Sequence, residues 1–200
     1  MNFSIKTLVV TYTAFVILYL HSMPMRPVIS TFVPIVGTVS SSAPKVSVST
    51  ARVKPKFKGK LDGFLRQMGQ IEGLGSYETV SRAGYLGLYQ FHPTTLAHMG
   101  INVTKEEFLT NPVLQDSVMV QYMRMNERGL NKLIKRYNGT YYNGVYVTKA
   151  GILAGAHLVG VGGVLSFFHP EKYNYKTVDG NGVHVSTYIQ KFSGYDLRGL

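Results

Sequence analysis

The first acidic residue of this chain is Asp62, and everything before it is basic, apolar or small and polar. That asymmetry confines any ordinary core to the residues from about 61 onward. Eight cations (Lys6, Arg26, Lys45, Arg52, Lys54, Lys56, Lys58 and Lys60) stand uncompensated in the first stretch and supply +8 of the net charge of +11. The same stretch holds Pro24, Pro27, Pro34, Pro44 and Pro55 and the run Ser40-Ser41-Ser42. Prolines donate no backbone hydrogen bond and serines bury little apolar surface, so residues 26–60 are expected to form a flexible, partly extended basic linker. Residues 61–200 then have the length of one domain.

Ahead of the linker, Thr7 to Leu20 read TLVVTYTAFVILYL, preceded by Lys6 and free of charge until Arg26. Such a run directs a chain to a membrane. About 14 apolar residues suit the core of a signal peptide, and extension through Met25 approaches the ~20 needed to span. Residues 1–25 are therefore read as a signal peptide or an uncleaved anchor, and the protein as exported to the periplasm or cell envelope. The chain has no cysteine, which excludes disulfides and thiolate metal sites. The basic comb ARVKPKFKGK would attract anionic polymer or lipid headgroups by screened, sequence-independent forces. Its single aromatic, Phe57, and its place beside an export signal disfavour nucleic acid as the partner.

From Leu61 the pattern is mainly helical. Leu61, Phe64, Leu65, Met68 and Ile71 recur at helical spacing and end at Glu72. Pro93 suits the first turn of a short helix that Gly100 ends, and Thr104 with Glu107 forms a capping box. Asn111 and Pro112 open a long helix whose apolar face runs through Val118, Tyr122, Leu130 and Ile134 to a stop at Asn138-Gly139. Asn143-Gly144 between β-prone residues predicts a small hairpin. Thr148 caps an Ala/Gly/Leu helix, the glycines at 160–163 turn the chain into a short apolar helix, VLSFF, and a last helix spans about Ser186 to Phe192.

Glu72 is the residue on which function turns. A carboxyl at a helix C-terminus beside a core meets an unfavourable dipole and partial desolvation, and both raise its pKa toward that of a general acid near neutrality. A solvated helix end before Gly73 is the plain alternative.

The segment beyond Glu72 resembles a known pattern. A helix ending in Glu, a glycine-rich polar loop, then Gly87-Leu88-Tyr89-Gln90, is similar to the lytic transglycosylase and phage-lysin branch of the lysozyme-like superfamily, with its Glu-Ser-x-Gly and Gly-Leu-x-Gln motifs. Gly73 stands where that family has Ser. Ala156-His157-Leu158 occupy the positions of a third motif, Ala-Tyr-Asn, and differ at two of them. The likeness spans Leu61 to about Leu197. It implies a mainly α, α+β lysozyme-like domain with a small hairpin or loop region flanking the cleft. It also implies cleavage of the β-1,4 bond between N-acetylmuramic acid and N-acetylglucosamine in peptidoglycan, with Glu72 as the catalytic acid and then base, 1,6-anhydro products, and no cofactor or metal. By the same likeness Gln90 holds N-acetyl or ring substituents through its amide, Gly87 lets the backbone approach the glycan, Leu88 belongs to the same substrate-binding motif, Tyr89 faces the cleft, and His157 replaces a cleft-floor tyrosine. A hydrolytic muramidase and a catalytically inactive peptidoglycan-binding or assembly protein are the alternatives.

Other candidates read more plainly. Glu78 falls in the polar loop, where a solvated charge is the ordinary state. The run Asp179-Gly180-Asn181-Gly182 resembles a calcium loop, but Gln190 stands where its closing glutamate belongs, so a turn is expected. His157 is equally consistent with a satisfied histidine on an apolar helix.

Overall fold

Helical spacing dictates the first element of the computed structural model, which describes residues 54–72 and 75–200. Helix α1 (Leu61–Glu72) turns Phe64 and Met68 into the core, with Leu61, Leu65 and Ile71 half-buried beside them. After it, Leu86 and Phe91 exchange both backbone hydrogen bonds at 2.9 Å and enclose Gly87 to Gln90 as a four-residue turn. Helix α2 (Pro93–His98) is capped by the His92 side chain, and α3 (Lys105–Leu109) carries the complete Thr104–Glu107 capping box. Helix α4 (Pro112–Gly129) starts at the Asn111 cap, as expected.

The long helix expected to run on to Asn138 is instead two. The backbone leaves helical geometry at Leu130 and resumes in α5 (Asn131–Tyr137). Gly129, a poor helix former, precedes the break, and the bend lets Leu130 sink into the core at 2% exposure. Strands β1 (Thr140–Tyr142) and β2 (Val145–Val147) form the expected antiparallel hairpin, with Asn143 and Gly144 at φ of 47° and 80° in the turn. Helix α6 (Lys149–Leu158), capped by Thr148, is buried from Ala150 through Ala156, as an all-apolar helix must be. Helix α7 (Val161–Phe168) begins three residues before the expected Val164, because Gly162 and Gly163 join it. A side chain at either would strike the Tyr175 ring or the Lys176 carbonyl. Helix α8 (Val185–Phe192) closes against α6. The described residues are thus mainly α with one two-stranded sheet, and among them no helix is long and apolar enough to cross a membrane. The expected membrane-directing segment and most of the expected linker lie outside the described residues.

The domain starts earlier than residue 61. Lys58 donates its backbone N–H to the Gly194 carbonyl and Asp196 donates to Gly59, both at 2.9 Å, and the Lys58 ammonium reaches the Lys191 carbonyl at 2.7 Å. These bonds need no apolar pattern, which is why composition assigned residues 56–60 to the linker. Gly194 permits the approach, since a Cβ there would lie 2.5 Å from the Lys56 carbonyl oxygen.

The tightest contact between helices joins α6 to α8. A Cβ on Gly151 would sit 2.4 Å from the Ile189 carbonyl oxygen, which is backbone and cannot swing away. Gly151→Ala is expected to cost about 1–3 kcal/mol in urea unfolding, whereas Gly129→Ala, which meets nothing within 4 Å, loses no stability. Equal behaviour of the two variants would contradict the packing.

Candidate active site

Glu72 is the last residue of α1, and its side chain is 25% exposed. Burial first, and the Asp179 carboxylate second, push its carboxyl up to about 7. The group therefore holds its proton into the neutral range, as a general acid must.

His157, in the last turn of α6, lies 4.0 Å from Glu72 through its Nε2. The same nitrogen donates to the Tyr89 carbonyl at 3.0 Å. A carbonyl can only accept, so that bond fixes the proton on Nε2. The ring packs against Phe91 and Tyr122, each 5.6 Å away between centroids. Burial pushes this imidazole down to about 4 against the pull of the Tyr89 bond. A neutral imidazole makes no ion pair with the carboxyl in either of its forms, so their proximity is a shared apolar environment.

Asp179 completes the group. Its Oδ1 accepts the backbone N–H groups of Asn181 and Val183 at 2.8 Å each, and its Oδ2 accepts the Tyr188 hydroxyl. Burial works against ionisation here, but the bonds from Tyr188 and from the amides of Val183, Asn181 and Gly182 outweigh it and hold the carboxyl below its ordinary value. Burial and Asp179 keep the Tyr188 phenol protonated well above its usual range, and Glu72 adds to the effect. One carboxyl is thus raised and its neighbour lowered, the separation that assigns distinct acid and anion roles within a pair.

The Gly87-Leu88-Tyr89-Gln90 turn departs from what its motif implied. The Tyr89 ring does not face outward to stack a sugar. It is 1% exposed, and its hydroxyl donates to Asp116 at 2.7 Å, beside that of Tyr77 at 3.0 Å. Leu88 is core and rests on Gly69, where a Cβ would lie 2.6 Å from its side chain. Gly87, at φ 73°, makes room for Gln115, whose amide oxygen a Cβ would meet at 2.1 Å. These three residues act as a brace, because a turn pinned to α4 must bury its own side chains. Gln90 alone of the four is half-buried, at φ 50°, with its Nε2 donating to the Gly87 carbonyl at 2.8 Å. Glu78 is exposed, in a depression of about 390 Å³ with Tyr77 and Pro112, while a second of about 420 Å³ lies between Leu86, Leu96 and Val103. Glu72 lines neither. Among the described residues, no group of three His, Asp or Glu side chains could hold a metal ion.

Sequence reasoning passed over Asp179 and Tyr188. Asp179 was legible as a turn former, whereas its electrostatic effect on Glu72, more than one hundred residues away in sequence, arises only in the folded chain. No family model, no curated protein and no solved structure matches this chain.

The two shifted groups give the fold a pH dependence. Glu72, raised from 4.5 to about 7 on folding, contributes stability that is complete below pH 4.5 and lost as the pH rises through 7. His157, lowered from 6.5 to about 4, has the opposite sign: its contribution is complete above 6.5 and falls as the pH drops toward 4. Glu72→Gln removes only the first, so urea unfolding of the variant relative to wild type should gain about 2–4 kcal/mol between pH 5 and 8. A pH-independent difference would show that Glu72 titrates normally.

Proposed function

We propose that this protein cleaves the β-1,4 bond between N-acetylmuramic acid and N-acetylglucosamine in peptidoglycan, on a lysozyme-like fold, with Glu72 as acid and then base. The observation that carries the proposal is the Glu72 carboxyl at a helix end, part-buried, with its pKa near 7 and an ionised Asp179 opposing its ionisation. Binding a glycan needs no such acid. The resemblance of the Glu72 and Gly87-Leu88-Tyr89-Gln90 motifs supplies the substrate class.

The chemistry runs in two halves. Glu72 gives its proton to the glycosidic oxygen as the bond to the anomeric carbon breaks, and the bonding electron pair leaves with that oxygen. The positive charge left on the sugar is stabilised by the substrate's own N-acetyl group, as in substrate-assisted glycosidases. Ionised Glu72 then takes a proton from the 6-hydroxyl of the same sugar, which closes the 1,6-anhydro ring. Were water the nucleophile, the same base would yield a hydrolytic muramidase. Export through Thr7 to Leu20 would bring the domain to the side of the membrane where the wall lies.

Turnover of purified peptidoglycan by wild type, Glu72→Gln and Glu78→Gln tests the proposal. The amide keeps the size and hydrogen bonding of Glu72 without a transferable proton, so it should slow cleavage by about 10²–10⁴-fold or more while circular dichroism stays native. Glu78→Gln should match wild type. Equal losses in both variants would replace the single acid by a two-carboxylate mechanism involving Glu78, and an inert wild type would favour a glycan-binding role.

A further inference from the structure

Four lysines, at positions 54, 56, 58 and 60, flank one aromatic side chain that the fold leaves in solvent. Phe57 is 65% exposed, whereas Phe64, Phe91, Phe108, Phe167, Phe168 and Phe192 are all at or below 8%. Its exposure is not that of a loose end, because the backbone on either side is fixed. The Lys56 carbonyl packs so closely on Gly194 that a Cβ there would lie 2.5 Å from its oxygen. Lys58 N–H donates to the Gly194 carbonyl and the Gly59 carbonyl accepts from Asp196, both at 2.9 Å. The Lys58 ammonium is engaged on the Lys191 carbonyl in the last turn of α8, while Lys54, Lys56, Lys60 and Lys191 are exposed. Of the acids close in sequence to this edge, Asp196 is paired with Arg198, and Asp62 lies in the first turn of α1, where it offsets the helix dipole.

An apolar ring held out among cations matches one kind of surface. Soluble anionic polymer or nucleic acid would use the lysines and leave the ring in water, and a single aromatic offers no succession of stacking platforms. A bilayer presents anionic headgroups directly above an apolar layer, so it takes both features. The ammonium groups stay with the headgroups while the ring enters the boundary beneath them. The covalent path agrees, since the apolar run Thr7 to Leu20 joins the domain through Lys54, at this same edge.

We infer that residues 54–60 form a membrane-contacting edge of the domain, in which Phe57 enters an anionic bilayer at its interface and Lys54, Lys56 and Lys60 hold the headgroups. Contact of this kind is independent of the chemistry proposed for Glu72. It also gives the end of the basic stretch a different part from that of a flexible attractor. The segment is mounted on residues 191–196 before it meets lipid, so binding adds little ordering cost.

The chain has no tryptophan, so Phe57→Trp in the full chain places a single indole at the edge as a reporter. The protein is mixed with vesicles of phosphatidylcholine alone or of an equimolar mixture with phosphatidylglycerol, each with and without brominated acyl chains. Emission from this one position separates contact by the edge from attachment through Thr7 to Leu20, which would leave the indole in water. Blue-shifted emission quenched by bromine is expected on the anionic vesicles and not on the neutral ones. Lys54→Gln, Lys56→Gln and Lys60→Gln together should lower the inserted-to-free ratio about five-fold for each lysine removed. Salt near about 1 M, where the screening length falls to about 3 Å, should act in the same direction. Lys58 is left unchanged because it ties the edge to α8. Water-like, unquenched emission on anionic vesicles that carry the protein overturns the inference, as does quenching that is equal on neutral vesicles or indifferent to the three lysines. Binding of heparin, a soluble polyanion, by a chain whose indole stays water-like on vesicles would assign the edge to polymer instead. Should Phe57→Trp lower the unfolding temperature, amide exchange of residues 54–60 in the unaltered protein, slowed by anionic and not by neutral vesicles, is read by the same criteria.

Discussion

One buried amide holds the segment after Glu72 to the helical body. Gln115, fully buried on α4, accepts the Leu88 N–H at 2.8 Å and donates to the carbonyls of Tyr77 at 2.9 Å and Phe108 at 2.8 Å. It thereby satisfies backbone groups from the loop after α1, the turn at 87–90 and the end of α3, none of which has a ladder partner there. Losing it would leave the Leu88 N–H and the Tyr77 carbonyl without this partner, at about 1–3 kcal/mol for a buried group, while the Phe108 carbonyl keeps the Asn111 N–H at 3.4 Å. Gly87 exists at that turn because no side chain fits against the amide. Through the turn, the same brace sets the Tyr89 carbonyl where the His157 imidazole can donate to it, and so decides the tautomer of the ring that lies 4.0 Å from Glu72.

Neutrality is what makes the site chemically pointed. A protonated histidine 4.0 Å from Glu72 would favour the carboxylate and abolish the acid. Burial prevents that on the histidine side, while on the carboxyl side burial and the Asp179 charge act in the same direction. The arrangement works against stability above neutral pH, a penalty commonly found where a fold keeps a titratable group ready for use. Elsewhere charge is placed differently: Lys54, Lys56, Lys58 and Lys60 line an exposed edge, although Lys58 and its neighbours are tied to residues 191–196.

Much of the helical framework was legible because it is written in local chemistry. The capping box at Thr104, the Asn111-Pro112 start, the Asn143-Gly144 turn and the Thr148 cap depend on residues within four positions of one another, and each falls where those residues indicate. Features that depend on distant partners were not legible. The break at Leu130 follows from burying that side chain, and the pairing of residues 58–59 with 194–196 uses backbone atoms that every sequence possesses. At the site, the raised Glu72 carboxyl was expected from its place at a helix end beside the core, and burial does raise it, whereas the Asp179 contribution to that rise and the burial that lowers His157 were not legible. The short motif misled at Tyr89, since a tyrosine in a glycine-flanked turn can point either way and here Asp116 supplies a buried partner for its hydroxyl.

The central claim is that one raised carboxyl breaks a glycosidic bond, and mass spectrometry of the soluble products from purified peptidoglycan meets it most directly. Glu72 acting as acid and then base predicts disaccharide-peptide fragments lighter by one water than hydrolytic products, carrying the 1,6-anhydro ring that forms when it activates the 6-hydroxyl. Fragments with free reducing ends would keep Glu72 as the acid but make water the nucleophile. Peptidoglycan recovered intact, with no soluble glycan fragment at any pH between 5 and 8, would contradict the claim.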